Sequence, residues 1–181
     1  MENTRGYGFW KWKPWLLKET IQNAKHGDII VYADAGCQIQ NTPEARARFK
    51  EYIDMLDNKS CWIRFQMHHA EHIWTTDAIF NYFNMKDTSG QYMATIHILR
   101  VCENSLALAD AWTDIALNTE LFTDNYNKDT TRTDFKDNRH DQSVFSVLCK
   151  IFPYKNMIIS IDDPTNPPTS TEPFISARLR N

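Results

Sequence analysis

The chain has 181 residues, 42% hydrophobic, 24% charged and 13% aromatic, with a formal net charge of −3. That balance suits one domain with a buried core, excludes a disordered chain, and argues against a polyanion binder. No apolar run approaches the roughly 18–20 residues that span a bilayer, and the polar, aromatic, basic start is unlike a signal peptide. The expectation is a cytoplasmic protein with no membrane span and no nucleic-acid partner.

Pro14 suits an early helical position, and Trp15, Leu16, Lys18, Glu19, Ile21 and Gln22 continue an amphipathic helix until His26-Gly27-Asp28 break it. Residues 29–33 are a short apolar run between turn residues, which reads as a buried strand ending on Asp34. Thr42, Pro43 and Glu44 form a strong helix start, and that helix runs to about Leu56. Residues 61–67 alternate as a strand does, and a helix follows from Thr76 to about Met85.

Residues 91–101 have the composition of a strand but an ambiguous period. Asn104 or Ser105 caps the next helix, through about Leu117, and residues 124–138 form a long polar loop. His140 or Asp141 opens a helix that ends near Phe152; residues 157–161 are a late strand, and 163–173 are proline-rich and irregular. With no internal repeat and no linker, the pattern is one α/β domain over residues 1–181.

Asp34 stands where a strand leaves its sheet, a place from which a carboxylate reaches a ligand or a metal. Ala35 and Gly36 keep the space around it small, although a strand-end aspartate also caps turns. The cluster Arg139-His140-Asp141-Gln142-Ser143 combines a phosphate clamp, a titratable donor and oxygen acceptors, while Asp141 also fits a plain helix cap. His68, His69 and His72 have metal-like spacing without the acidic partner of a zinc-protease helix, so loop histidines are the favoured reading. Asp77 reads as a first-turn helix carboxylate, or as a group facing a pocket. The four dispersed cysteines read as buried thiols. Trp10, Trp12 and Trp15, interleaved with Lys11, Lys13 and Lys18, form either an aromatic wall with cations or a packing cluster with snorkelling lysines.

Three stretches, in order, resemble a GT-A-type glycosyltransferase family of large DNA viruses, phages and bacteria, whose patterns are GYGYWxWKP, GDxxxYxDAG and RHDQSxxS. They are Gly6 to Pro14, Gly27 to Gly36, and Arg139 to Ser146. The resemblance implies a GT-A-like, Rossmann-related mixed sheet flanked by helices. It also implies transfer of a sugar from a nucleotide-sugar donor to a glycan, glycoprotein or other hydroxyl acceptor.

The resemblance makes Asp34 a metal and substrate ligand, commonly for Mn²⁺, although Gly36 stands where the family has a second carboxylate. Asp141 and Gln142 would lie under the donor sugar and Arg139 by its phosphates, with His140 doing the same or simply ordering the loop. Trp10 and Trp12 would wall the site, and Lys11 or Lys13 would offer a cation to the diphosphate. Trp15 is expected in the core. The family's usual N-terminal strand–helix–strand unit has no counterpart ahead of residue 5, so a partner chain or domain completing the nucleotide site is one expectation. A non-catalytic carbohydrate- or nucleotide-binding module is the alternative, and a hydrolase using His68, His72 and Asp77 a weaker one.

Overall fold

The computed structural model describes residues 5–86, 89–163 and 171–176. Its first helix, α1 (Trp12–Asn23), places Lys13, Pro14, Leu17 and Ile21 on one buried face. Trp15, expected in the core, is instead on the outer face, 52% exposed. In α2 (Pro43–Met55) the expected start is borne out: the Thr42 hydroxyl accepts from Ala45 N–H at 3.1 Å, and Pro43 opens the helix. Two short helices, α3 (Glu71–Trp74) and α4 (Asp77–Tyr82), precede the long α5 (Glu103–Asn118) and the buried α6 (Asp141–Leu148). The helix expected to end near Phe152 therefore stops four residues sooner, and the one expected to reach Met85 stops at Tyr82.

Five strands form one sheet. β3 (Trp62–Ala70) is its spine, pairing antiparallel with β5 (Ile96–Arg100) through Trp62 and Ile63 and with β4 (Gly90–Tyr92) further along. On its other side it pairs in parallel with β6 (Ile158–Asp162), from Trp62↔Ile158 to Gln66↔Asp162. β1 (Ile29–Ala33) closes the far edge, antiparallel to β5. The sheet is thus mixed and mainly antiparallel. β1 is an edge strand with only partial burial, not the buried strand its apolar run suggested. The ambiguous stretch 91–101 is two strands with a tight turn, Met93-Ala94-Thr95, between them.

The sheet has a core on each face. α1, α5 and α6 cover one with Leu17, Ile21, Trp112, Val144, Phe145 and Leu148 against Trp62 and Leu99. Trp112 stacks on Phe145 at 4.0 Å between centroids, worth about 0.5–1.5 kcal/mol beyond simple burial. α2 covers the other face, with Tyr52 and Leu56 against Ile63, Phe65, Ile96 and Ile98. A small ladder, β2 (Gln38–Ile39) with β7 (Phe174–Ile175), closes that side.

Residues 164–170 of the proline-rich segment lie outside the described residues. Glu172 is buried and accepts from the Tyr52 hydroxyl at 2.7 Å. Cys61, Cys102 and Cys149 are buried free thiols, and Cys37 is half-buried. Among the described residues no helix is long and apolar enough to cross a membrane.

Candidate active site

The turn between β4 and β5 gathers the site. Asp34 follows β1, and its backbone N–H donates to Thr95 O at 2.9 Å, fixing it against that turn. Ala94 N–H donates to Gln142 Oε1 at 3.2 Å, holding the first turn of α6 beside it. Because β1 is antiparallel to its neighbour, Asp34 is placed by this turn rather than by the crevice of a parallel sheet.

Lys13 joins the pieces. Its side chain is only 2% exposed, and Nζ lies 2.7 Å from Asp141 Oδ2, 3.2 Å from Asp34 Oδ1, and 3.1 Å from Ala94 O, to which it donates. Asp34 Oδ1 also accepts from the Tyr32 hydroxyl at 2.6 Å. Burial, reinforced by that bond to Asp34, raises the Tyr32 pKa, so the hydroxyl stays a donor. Asp141 is 5% exposed; burial pushes its carboxyl above the usual range, Lys13 opposes that, and Asp34 adds to it.

Asp34, Lys13, Asp141 and Gln142 face one cleft of about 810 Å³, together with Arg5, Trp10, Trp74, Gln91 and Arg139. The Arg139 guanidinium lies over the Trp74 ring at 3.9 Å from its centroid. A loop at 139–143 holds this edge: Ser143 Oγ donates to Trp74 O at 2.6 Å and accepts from Arg139 N–H at 2.9 Å. His140 has φ 55° and ψ −116°, a conformation strained for any residue but glycine. Its Nδ1–H donates to Phe122 O at 2.8 Å, and Trp10 stacks on its ring at 5.3 Å. His140 therefore orders the loop beneath the cleft, with its ring engaged on both counts.

Other expected residues fall elsewhere. Trp12 is 39% exposed, donates to Gly6 O at 3.2 Å, and does not line the cleft; Trp10 does. The reason is a left-handed turn over Gly6–Phe9, closed by Phe9 N–H to Arg5 O at 2.7 Å, which rotates Trp10 inward. Lys11 turns away to Thr119 O and Glu120. His72 pairs with Asp134 and Asp77 with Arg132, so neither joins His68, which lines the cleft from the end of β3. The triad of a hydrolase is not assembled.

Comparison with family models, with curated proteins and with solved structures finds no match.

Two buried networks beneath the cleft had no signal in the sequence. In the first, Gln142 Nε2 donates to Gln91 Oε1 at 2.6 Å, and Gln91 Nε2 donates to Glu71 Oε1 at 2.9 Å. Glu71 is fully buried and is also held by Thr75, Ser146 and Lys150. In the second, Arg64 Nη1 donates to His97 Nδ1 at 2.8 Å, which fixes the tautomer, and His97 Nε2–H donates to Ala94 O at 3.1 Å. Arg64 also donates to Met93 O and lies over the Phe145 ring. Burial brings its pKa down to about 10 and pushes that of His97 well below the ordinary value, Arg64 adding to the latter. Both networks end on groups that place Gln142 and Lys13.

The resemblance implies a divalent metal at Asp34. The side chains present do not make a ligand set for one. Asp34 Oδ1 is taken by Tyr32 and Lys13, Gly36 offers no carboxylate, and among the described residues no three His, Cys, Asp or Glu side chains group to hold a metal ion.

Proposed function

We propose that this chain transfers a sugar from a nucleotide-sugar donor to a glycan or other hydroxyl acceptor, on a GT-A-like scaffold. The observation that carries the reading is the meeting of Asp34 and Asp141 on one ammonium in a cleft that Arg139 and Arg5 also line. Acidic oxygens accept from sugar hydroxyls, and guanidinium groups pair with phosphate oxygens, so a ligand with a sugar at one end and a diphosphate at the other suits both. Trp10 and Trp74 add ring faces for an apolar sugar face or a base.

In this reading Asp141, paired with Lys13 at 2.7 Å, accepts from a donor-sugar hydroxyl. Gln142 is held by Gln91 and the Ala94 N–H and lies beside the reacting carbon. Arg139 receives the leaving diphosphate, whose charge is offset most strongly as the glycosidic bond breaks. The test is nucleotide-sugar turnover by the wild-type chain, Asp34→Asn and Asp141→Asn across several donors; equal turnover by all three removes the site.

A binding module without catalysis is the second reading. It is favoured by one observation: all the polar ends of Lys13 and Gln142 are already engaged, leaving few groups to move a proton. Calorimetric uptake of donor without product formation selects it.

A further inference from the structure

Two carboxylates at the floor of a cleft repel an incoming anion unless a cation lies between them. In this chain the cation is a side chain of the protein itself, Lys13. Lys13 has three N–H bonds, and three oxygens stand within reach: Asp34 Oδ1, Asp141 Oδ2 and Ala94 O. The side chain enters from the first turn of α1 and is shut away from water, so the ammonium is held in place rather than swinging in from the surface.

The third acceptor is itself fixed. Ala94 O receives His97 Nε2–H from below, and the Ala94 N–H is spent on Gln142. Lys13 thus sits in a socket defined from β1, from the β4–β5 turn and from α6. A divalent ion sharing the two carboxylates would need oxygens at about 2.0–2.6 Å, which would set it against an ammonium of the same sign. Asp34 Oδ1 has a further donor in Tyr32, and position 36 is glycine, so that position supplies no acid to make up for the intruding charge.

We propose that Lys13 is the resident cation of this cleft, and that the chain holds no divalent metal between Asp34 and Asp141. Lys13 offsets one of the two negative charges and lets a diphosphate approach Arg139 without a metal bridge. The use made of the cation rests on the nucleotide-sugar reading above; its presence rests on the ion-pair geometry alone.

The experiment is a Mn²⁺ titration of the full chain, without nucleotide, followed by the electron paramagnetic resonance signal of free Mn²⁺. The wild-type chain is expected to leave micromolar Mn²⁺ free. Lys13→Met, which uncovers both carboxylates, is expected to take up one ion per chain about tenfold or more tightly than wild type. Should Lys13→Met fail to fold, Lys13→Gln keeps a donor to Ala94 O while removing the charge, and carries the same comparison.

Stoichiometric uptake by the wild-type chain that is lost in Asp34→Asn overturns the proposal. So does equal Mn²⁺ affinity of the folded Lys13 variant and the wild type. Mn²⁺ is the only ligand used, so a chain that turns over no nucleotide sugar sinks the proposed function and leaves this result standing.

Discussion

Asp34 and Asp141 share the ammonium of Lys13, at 3.2 and 2.7 Å, although one follows β1 and the other opens α6. The pair is unequal: Asp34 is 36% exposed at its side chain and Asp141 only 7%. Replacing Asp141 by asparagine should therefore cost more stability, up to about 3 kcal/mol, the low end for a broken buried pair because Asp34 stays with Lys13. Asp34→Asn should cost under about 1 kcal/mol, as for a solvent-screened partner. Both should lower nucleotide-sugar turnover by about 100-fold or more. Urea melts and initial rates on the same preparations separate the two effects.

The elements with strong local punctuation were legible: Thr42-Pro43 for α2, His26-Gly27-Asp28 for the end of α1, and the short apolar run of β1. What stayed hidden depends on contacts between distant segments. The turn at Met93-Ala94-Thr95 carries no Gly, Pro, Asn or Asp, so nothing local divides β4 from β5. The ladder of β2 with β7 rests on two residues a side, too few for a period. Trp10 and Trp12 read alike in sequence; only the left-handed turn before them decides which faces the cleft. Asp34, Asp141, Gln142, Arg139 and Lys13 were legible as polar residues at element ends, whereas Gln91, Glu71, Arg64 and His97 look like ordinary members of strands and helices.

His97 supplies a pH dependence. It is fully buried, and its pKa is pushed well below the ordinary 6.5, by burial first and then by Arg64 and Lys13. The folded state holds it neutral while the unfolded chain takes up a proton below pH 6.5, so stability is full above that pH and lost as pH falls. Between pH 7 and pH 5 the loss from this residue reaches about 2 kcal/mol. His97→Gln keeps a donor for Ala94 O without the titration. Thermal melts from pH 5 to 7.5 should show a flatter dependence for the variant than for the wild type.

Gln91 sits between Gln142 and buried Glu71, donating to one and accepting from the other. Gln91→Leu fills similar space but frees the Gln142 amide and takes one donor from Glu71, which still has Thr75, Ser146 and Lys150. The expected stability loss is about 1–3 kcal/mol. If Gln142 acts on the donor sugar, turnover at saturating donor should fall about tenfold or more with little change in the half-saturating concentration. A purely structural role would leave the rate per folded molecule unchanged.

The turn at Gly6–Phe9 and the residue after it concentrate backbone strain, with Tyr7, Phe9 and Trp10 all at φ between 53° and 58°. Each such residue costs about 1–2 kcal/mol in the left-handed region, so the turn persists because Trp10 and Phe9 are seated against His140. Gly6 has φ +61°, and a Cβ there would lie 2.4 Å from the Trp10 ring; Gly8 has φ +95°, with nothing within 4 Å of an added Cβ. Gly6→Ala and Gly8→Ala both add strain of about 1–2 kcal/mol, but only the first also expels Trp10 from the cleft. Donor affinity by calorimetry should therefore fall in Gly6→Ala and hold in Gly8→Ala, while both melt earlier than wild type. Equal affinities in the two variants would show that the Trp10 ring plays no part in holding the ligand.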